Sequence, residues 1–237
     1  MTMFAVELTP HGRRLAGQPL LLRQALPASL CSRWRALAGE TAPASRLAVS
    51  ALDMAEVLQA VASSSLREPI EAALGPAPLC NLKQSWLRHG RPAHHWHQDG
   101  ALRFDFLLHA SPPGRPAPPD ALLEMCTCWI ALTPCGVDAP GLEWVAEATP
   151  ALLWPAELTP QAVQSRYATE AFVRPALNAG DALVFDGTLL HRTHLTPGMD
   201  TQRTSLELRF FRADAWPARL ADDRASAASL GCPIQLT

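Results

Sequence analysis

Apolar residues at helical spacing dominate the first third of the chain. Leu30, Trp34 and Leu37 predict a helix over Pro27–Gly39, with Gly39 as its stop. Asp53 followed by Glu56 is a capping-box pattern that opens a second helix over Met54–Leu66, with Val57, Leu58 and Val61 on one face. Glu68–Leu74 predicts a third short helix, closed by Gly75 and Pro76.

From Leu79 the pattern changes to short β-type runs separated by turn residues. Strands are expected over Leu79–His89, Ala101–His109, Leu122–Leu132, Leu142–Val145, Ala171–Arg174, Ala182–Phe185 and Ser205–Arg212. In the last of these, Leu206, Leu208 and Phe210 alternate with Glu207, Arg209 and Phe211, the period of a half-buried strand. Seven strands after a helical lead-in suggest a sandwich or jelly roll. Proline excludes helix and inner strand from Ser111–Asp120. Pro150–Pro160 reads as an irregular connection with a helical turn. With no repeat and no flexible linker, residues 1–237 read as a single domain. Its parts are helical support over 1–78, a β core over 79–212 and a C-terminal tail over 213–237.

Composition narrows the class. Hydrophobic residues make up 48% of the 237, too many for a disordered chain. The formal charge of −2 offers no basic surface for nucleic acid. No apolar run reaches the length of a membrane helix. Met1–Pro10 lacks the pattern of a secretory signal, so a cytoplasmic protein is expected. Lys83 is the only lysine among 20 basic residues, a bias that reads as coding habit rather than chemistry. The six cysteines have no framework spacing and read as buried thiols. Cys126, Cys128 and Cys135 lack the paired spacing and fourth ligand of a zinc site.

The chemistry concentrates in His94-His95-Trp96-His97-Gln98-Asp99-Gly100. His97 and Asp99 are two residues apart, so on a strand both side chains face one way. Imidazole plus carboxylate suits Fe(II), and a third ligand must come from a distant strand. His191, which follows Gly180-Asp181 and the strand Ala182–Phe185, is the candidate, with His194 as its competitor. Arg203 heads the next strand, and an inward guanidinium there needs an anion such as a carboxylate.

These motifs together resemble the phytanoyl-CoA dioxygenase family. Those that match are His97-Gln98-Asp99-Gly100, the Gly180-Asp181…Phe185…His191 segment and Arg203. Lys83-Gln84-Ser85, Trp129-Ile130-Ala131-Leu132 and Gly141-Leu142 extend the match from about Leu79 to Phe211. The resemblance implies a double-stranded β-helix (jelly roll, cupin-like), mainly β, with the N-terminal helices packed on one face. It implies an Fe(II)- and 2-oxoglutarate-dependent dioxygenase that uses O2, hydroxylates a small organic substrate and releases succinate and CO2. Carried over by position, it implies His97, Asp99 and His191 as the metal ligands. His191 is preferred to His194 because Phe185-Asp186 precedes it at the family's distance. Arg203 and Thr193 would hold the distal carboxylate of 2-oxoglutarate, and Gln84 and Trp129 would line its pocket. Asp99 argues against halogenation, in which related enzymes replace that carboxylate.

Two departures stand out. The interval from His191 to Arg203 is one residue longer than the family pattern. Glu143-Trp144-Val145-Ala146-Glu147-Ala148-Thr149 replaces the family's Pro-Gly-Ser-His stretch. The rival readings are a metal-binding β-helix that senses or binds without turnover, and a cupin-like oxygenase independent of 2-oxoglutarate. Ser111–Asp120 is the candidate lid. The sequence selects neither an oligomeric state nor a substrate among acyl-CoA, carrier-bound acyl, amino acid and secondary metabolite.

Overall fold

The computed structural model describes residues 7–9, 12–14, 18–40, 47–91, 93–102, 118–149 and 151–230. Its N-terminal part contains β1 (Glu7–Thr9), β2 (Gly12–Arg14), β3 (Leu20–Leu22), α1 (Ala28–Glu40), β4 (Leu47–Ala48), α2 (Met54–Ala62) and α3 (Arg67–Leu74). The strands β5 (Leu79–Asn81), β6 (Trp86–Gly90), β7 (Met125–Ala131) and β8 (Gly141–Val145) follow. After α4 (Pro160–Arg166) come β9 (Phe172–Val173), β10 (Ala182–Asp186), β11 (His191–His194), β12 (Arg203–Phe211) and β13 (Ala227–Ser229).

The three helices form where apolar spacing places them, with one change in how α2 is capped. The Asp53 carboxylate accepts from the Ala55 and Glu56 amides at 3.0 and 3.2 Å. Glu56 does not close the capping box; it accepts instead from Arg33 and from Trp34 Nε1 of α1. Helices of eight or nine residues are unstable alone, so packing must hold them. Val57, Leu58, Val61, Leu66 and Ile70 are all fully buried. At roughly 1.5–3 kcal/mol each, their burial outweighs the few tenths per residue of helix propensity.

They pack on the outer face of an antiparallel sheet of order β13-β5-β12-β7-β10-β3, with β6 also on β12 and β4 on β6. Cys80, Leu87, Cys128, Ile130, Val184, Leu206, Leu208 and Phe210 supply the sheet's side of this core. A second sheet, β11-β8-β9, faces the first across Trp129, Leu142, Trp144, Leu183 and Phe185. The result is the two-sheet, mainly β architecture with helices on one face that the resemblance implies.

Four sequence expectations change. The run Leu79–His89 is two strands, because the Asn81 side chain accepts from the amides of Lys83 and Gln84 at 3.1 and 3.2 Å and turns the chain. β12 is buried at all nine positions rather than on one face, since helices cover one side and the second sheet the other. The helical third also supplies β3 and β4, and the tail supplies β13. Ala101 lies in a short 3-10 turn, not a strand. The remainder of Ala101–His109 and most of the candidate lid Ser111–Asp120 lie outside the described residues.

Gly180 shows why a turn there demands glycine. Its φ is +91°, and a Cβ would lie 2.2 Å from the Leu26 carbonyl oxygen.

Candidate metal centre

Alternation on β12 decides which side chains enter the space between the sheets. Leu206, Leu208 and Phe210 join the helix-side core. Arg203, Ser205, Glu207 and Arg209 therefore point the other way, as do Thr127 and Trp129 of β7 and Arg88 of β6, which pair with them in register.

His97 and Asp99 approach this interior from a loop rather than a regular strand. His97 makes an isolated bridge with His191, its amide on the His191 carbonyl at 3.0 Å and the reverse at 3.1 Å. Asp99 opens the 3-10 turn that follows. The loop is fixed from behind by Gln98, which donates to the carbonyls of Ala151 and Thr188 at 3.0 and 2.9 Å and accepts from the Leu153 amide at 2.7 Å. Gly100 packs on Gly187, and a Cβ at Gly100 would lie 2.4 Å from Leu122 Cδ1 and 2.7 Å from the Gly187 oxygen. Gly100→Ala is therefore expected to lose about 1–3 kcal/mol of stability. It should also weaken metal binding by shifting Asp99. Thermal unfolding and metal titration check both effects.

The ligand atoms of His97, Asp99 and His191 all lie within 4.8 Å of one another, and no other described His, Cys, Asp or Glu residues form such a group of three. The surroundings prepare this set for a metal. His97 Nδ1 is 2.7 Å from the His95 carbonyl and His191 Nδ1 is 3.0 Å from that of Leu189. A carbonyl only accepts, so each Nδ1 carries a proton, and Nε2 is the atom of each ring left to meet a cation. His97 Nε2 is 3.7 Å from Asp99 Oδ1. Two imidazoles and a carboxylate on one side fit a facial-triad Fe(II) site.

The charges agree with that preparation. Burial raises the Asp99 carboxyl, but Arg209, His191 and His97 together hold it well below the usual carboxylate range. Burial, with His191 and His94 beside it, pushes the His97 imidazole well below its ordinary value. Asp99 is clamped on both oxygens, Oδ1 by Arg209 Nη2 at 2.9 Å and Oδ2 by the Thr127 hydroxyl at 2.7 Å. Arg209 also donates to the Gln84 carbonyl at 2.6 Å and lies 3.5 Å from Glu207, which pairs with Arg88.

Arg203 is 2% exposed, donates from Nη1 to the Gly141 carbonyl at 3.2 Å and leaves its Nε without a partner. It lies 5.7 Å from the centroid of the Trp129 ring, whose own Nε1 is buried and unpartnered. Thr193 is buried on the same face of β11 as His191, and its hydroxyl accepts from the His94 amide at 3.1 Å. His194 points to the opposite face of β11. The Gln84 side chain is turned to Asp223 Oδ2 at 3.2 Å, so it meets the interior through its carbonyl. Of the two other histidines beside the motif, His95 contributes its carbonyl, while His94 Nδ1 is 3.1 Å from His97 Nε2. Cys126 and Cys128 are buried in the helix-side core, where burial raises both thiols.

The segment that departs from the family pattern has its own structural device. Glu143 is fully buried and paired with Arg174 and Arg192, tying β8 to β11 and to the residue after β9. Arg192 in turn stacks 4.7 Å from the Trp96 ring, next to His97.

The family profile described as Phytanoyl-CoA dioxygenase (PhyH) matches residues 38–198, about two thirds of the chain. The chain belongs to this family. Among solved structures, EctD from S. alaskensis in its apo form is similar at 15% identity and a TM-score of 0.60, over 83% of this chain and 73% of that one. The non-heme alpha-ketoglutarate-dependent carbocyclase SnoK from nogalamycin biosynthesis matches at 14% identity and 0.53, over 92% and 88%. HygX from Streptomyces hygroscopicus, solved with nickel and 2-oxoglutarate, matches at 14% and 0.55, over 82% and 83%. No curated protein matches by sequence. As a phytanoyl-CoA dioxygenase family member, the protein is a non-haem Fe(II)- and 2-oxoglutarate-dependent oxygenase with O2 as cosubstrate. Among its described residues, no helix is long and apolar enough to cross a membrane.

Arg209, Thr127, Glu207 and Arg88 are the interior residues that sequence reasoning missed. The signal for two of them was present. Once Arg203 is placed inward, Glu207 and Arg209 have the same parity on the strand and must point inward too.

Proposed function

We propose that His97, Asp99 and His191 hold Fe(II) and that Arg203 and Thr193 hold the distal carboxylate of 2-oxoglutarate against the Trp129 ring. The observation that carries this reading is the convergence of the triad's ligand atoms within 4.8 Å, with a buried arginine whose Nε has no partner facing the same space between the sheets. It is supported by solved relatives described with bound Fe, in EctD, and with nickel and 2-oxoglutarate, in HygX.

When bound, iron and 2-oxoglutarate supply the oxidising chemistry, splitting O2 while the cosubstrate is decarboxylated to succinate and CO2, and the substrate is hydroxylated. The chain's own residues prepare the site. Arg209 and Thr127 keep Asp99 ionised and fix its oxygens, so the carboxylate presents one orientation. The His95 and Leu189 carbonyls fix the tautomers of His97 and His191. Arg203 and Thr193 set how far 2-oxoglutarate reaches, and Trp129 with the apolar side chains between the sheets excludes water. Gln84 acts through its carbonyl on Arg209 rather than by its side chain. The whole chain works as one dioxygenase domain on a small-molecule substrate. The five described cysteines are free thiols, which fits a reducing cytoplasm.

Succinate formation from 2-oxoglutarate tests the assignment. Arg203→Gln removes a charge-assisted carboxylate contact of about 1.5–3 kcal/mol, so the KM for 2-oxoglutarate should rise roughly 10–100-fold. An unchanged KM would remove Arg203 from the cosubstrate site, and substrate oxidation that persists without 2-oxoglutarate would favour an oxygenase independent of it. Tight binding without succinate would favour a binding module.

A further inference from the structure

Three arginines are buried in the interior, and they are not equally occupied. Arg209 is spent on Asp99, the Gln84 carbonyl and Glu207. Arg203 donates to Gly141 and is the proposed cosubstrate anchor. Arg88, on β6 opposite Ser205, has a side chain only 10% exposed, and its one ionic contact among the described residues runs from Nε to Glu207. Its two terminal nitrogens donate to no described residue, although together they form the half of a guanidinium best shaped for a carboxylate.

The charges of the interior point the same way. Among the described buried residues, Asp181, Asp223 and Glu143 are each paired with partly or largely exposed cations outside this space. Among the described residues, Arg88, Arg203 and Arg209 face inward against Asp99 and Glu207, one positive charge in excess. Fe(II) and the 2-oxoglutarate dianion cancel each other. A buried charge without a partner is unfavourable by several kcal/mol, so a loaded site with no further anion is incomplete. On the function proposed above, 2-oxoglutarate would not fill the gap, because its two carboxylates would be taken up by the metal and by Arg203.

We propose that Arg88 is the seat for a carboxylate on the primary substrate, so that the enzyme acts on a small organic acid bearing a single negative charge. This rests on the function proposed above and adds the substrate class. Glu207 orients the guanidinium from behind, and its second oxygen lies near Arg209. The same buried chain therefore links the substrate seat to Asp99.

Propionate and its neutral isostere propionamide probe the seat in the intact protein. Enzyme loaded anaerobically with Fe(II) and saturating 2-oxoglutarate should have a visible charge-transfer band, and the band itself tests the underlying reading. Propionate should perturb it saturably, and propionamide should not. Arg88→Gln should weaken the propionate response at least about tenfold, while Arg88→Lys, which keeps the charge, recovers part of it. The affinity of Arg88→Gln for 2-oxoglutarate should stay within about twofold of the parent, as judged against the charged-contact scale. Three results would overturn the proposal: equal responses to propionate and propionamide, no saturable response to propionate, or loss of 2-oxoglutarate affinity in Arg88→Gln as large as in Arg203→Gln. The last would give the seat to the cosubstrate. Absence of the band in the parent protein would overturn the function reading together with the proposal.

Discussion

Arg209→Met is expected to destabilise the protein by about 3–5 kcal/mol, the scale for breaking a buried ion pair from one side. The substitution keeps much of the side-chain volume but strands Asp99 with only the Thr127 hydroxyl, and Glu207 with only Arg88. For a chain of this size the thermal midpoint should fall by roughly 10 °C or more. The pH dependence gives a second readout. Burial raises the Asp99 and Glu207 carboxyls, but nearby cations hold both below their ordinary values, with Arg209 foremost at Asp99 and Arg88 at Glu207. A depressed folded-state pKa contributes stability above the unfolded carboxylate range, near pH 4, and that stability is lost as pH falls through the folded value. Without Arg209 the depression shrinks, so acid unfolding should begin at a higher pH. A variant with unchanged midpoint and acid profile would show that the clamp contributes nothing.

His97→Ala should have the opposite character, a large functional loss with little structural cost. Its side chain is about a quarter exposed and packed against two other imidazoles, His94 and His191, so its removal opens no sealed cavity. It does remove one of three metal ligands. Fe(II) affinity should fall by more than about 100-fold, beyond the 10–100-fold that loss of an outer-shell partner brings. Succinate formation should vanish. Circular dichroism and the thermal midpoint of the metal-free variant should stay near those of the parent. Calorimetric titration with the metal, compared with these two measures, separates loss of a ligand from loss of the fold.

The sequence shows the triad more readily than what supports it. His97 and Asp99 are two residues apart in the chain, and His191 follows a strand whose Gly180-Asp181 turn and apolar run are local patterns. The clamp on Asp99 is not local. Thr127 and Arg209 lie 28 and 110 residues away, and only the pairing of β7 with β12 brings them to it. Arg209 and Glu207 resemble the wet face of a half-buried strand until the second sheet is known to cover them. The same limit explains β3, three residues whose strand character comes from pairing with β10 rather than from a pattern of their own. Asn81 shows the reverse failure. A single side chain that caps two amides splits what composition presents as one strand. Helix positions were legible because burial of Trp34, Val57, Leu58, Val61 and Ile70 leaves a 3.6-residue period in the sequence.

This chain is expected to bind Fe(II) through His97, Asp99 and His191 and then to take 2-oxoglutarate onto the same metal. Anaerobic addition of Fe(II) and 2-oxoglutarate to the purified protein measures it most directly. The structure predicts a weak visible charge-transfer band that saturates with cosubstrate and is missing in His97→Ala. No band in the parent protein at saturating metal and 2-oxoglutarate, or an equal band in His97→Ala, would contradict it.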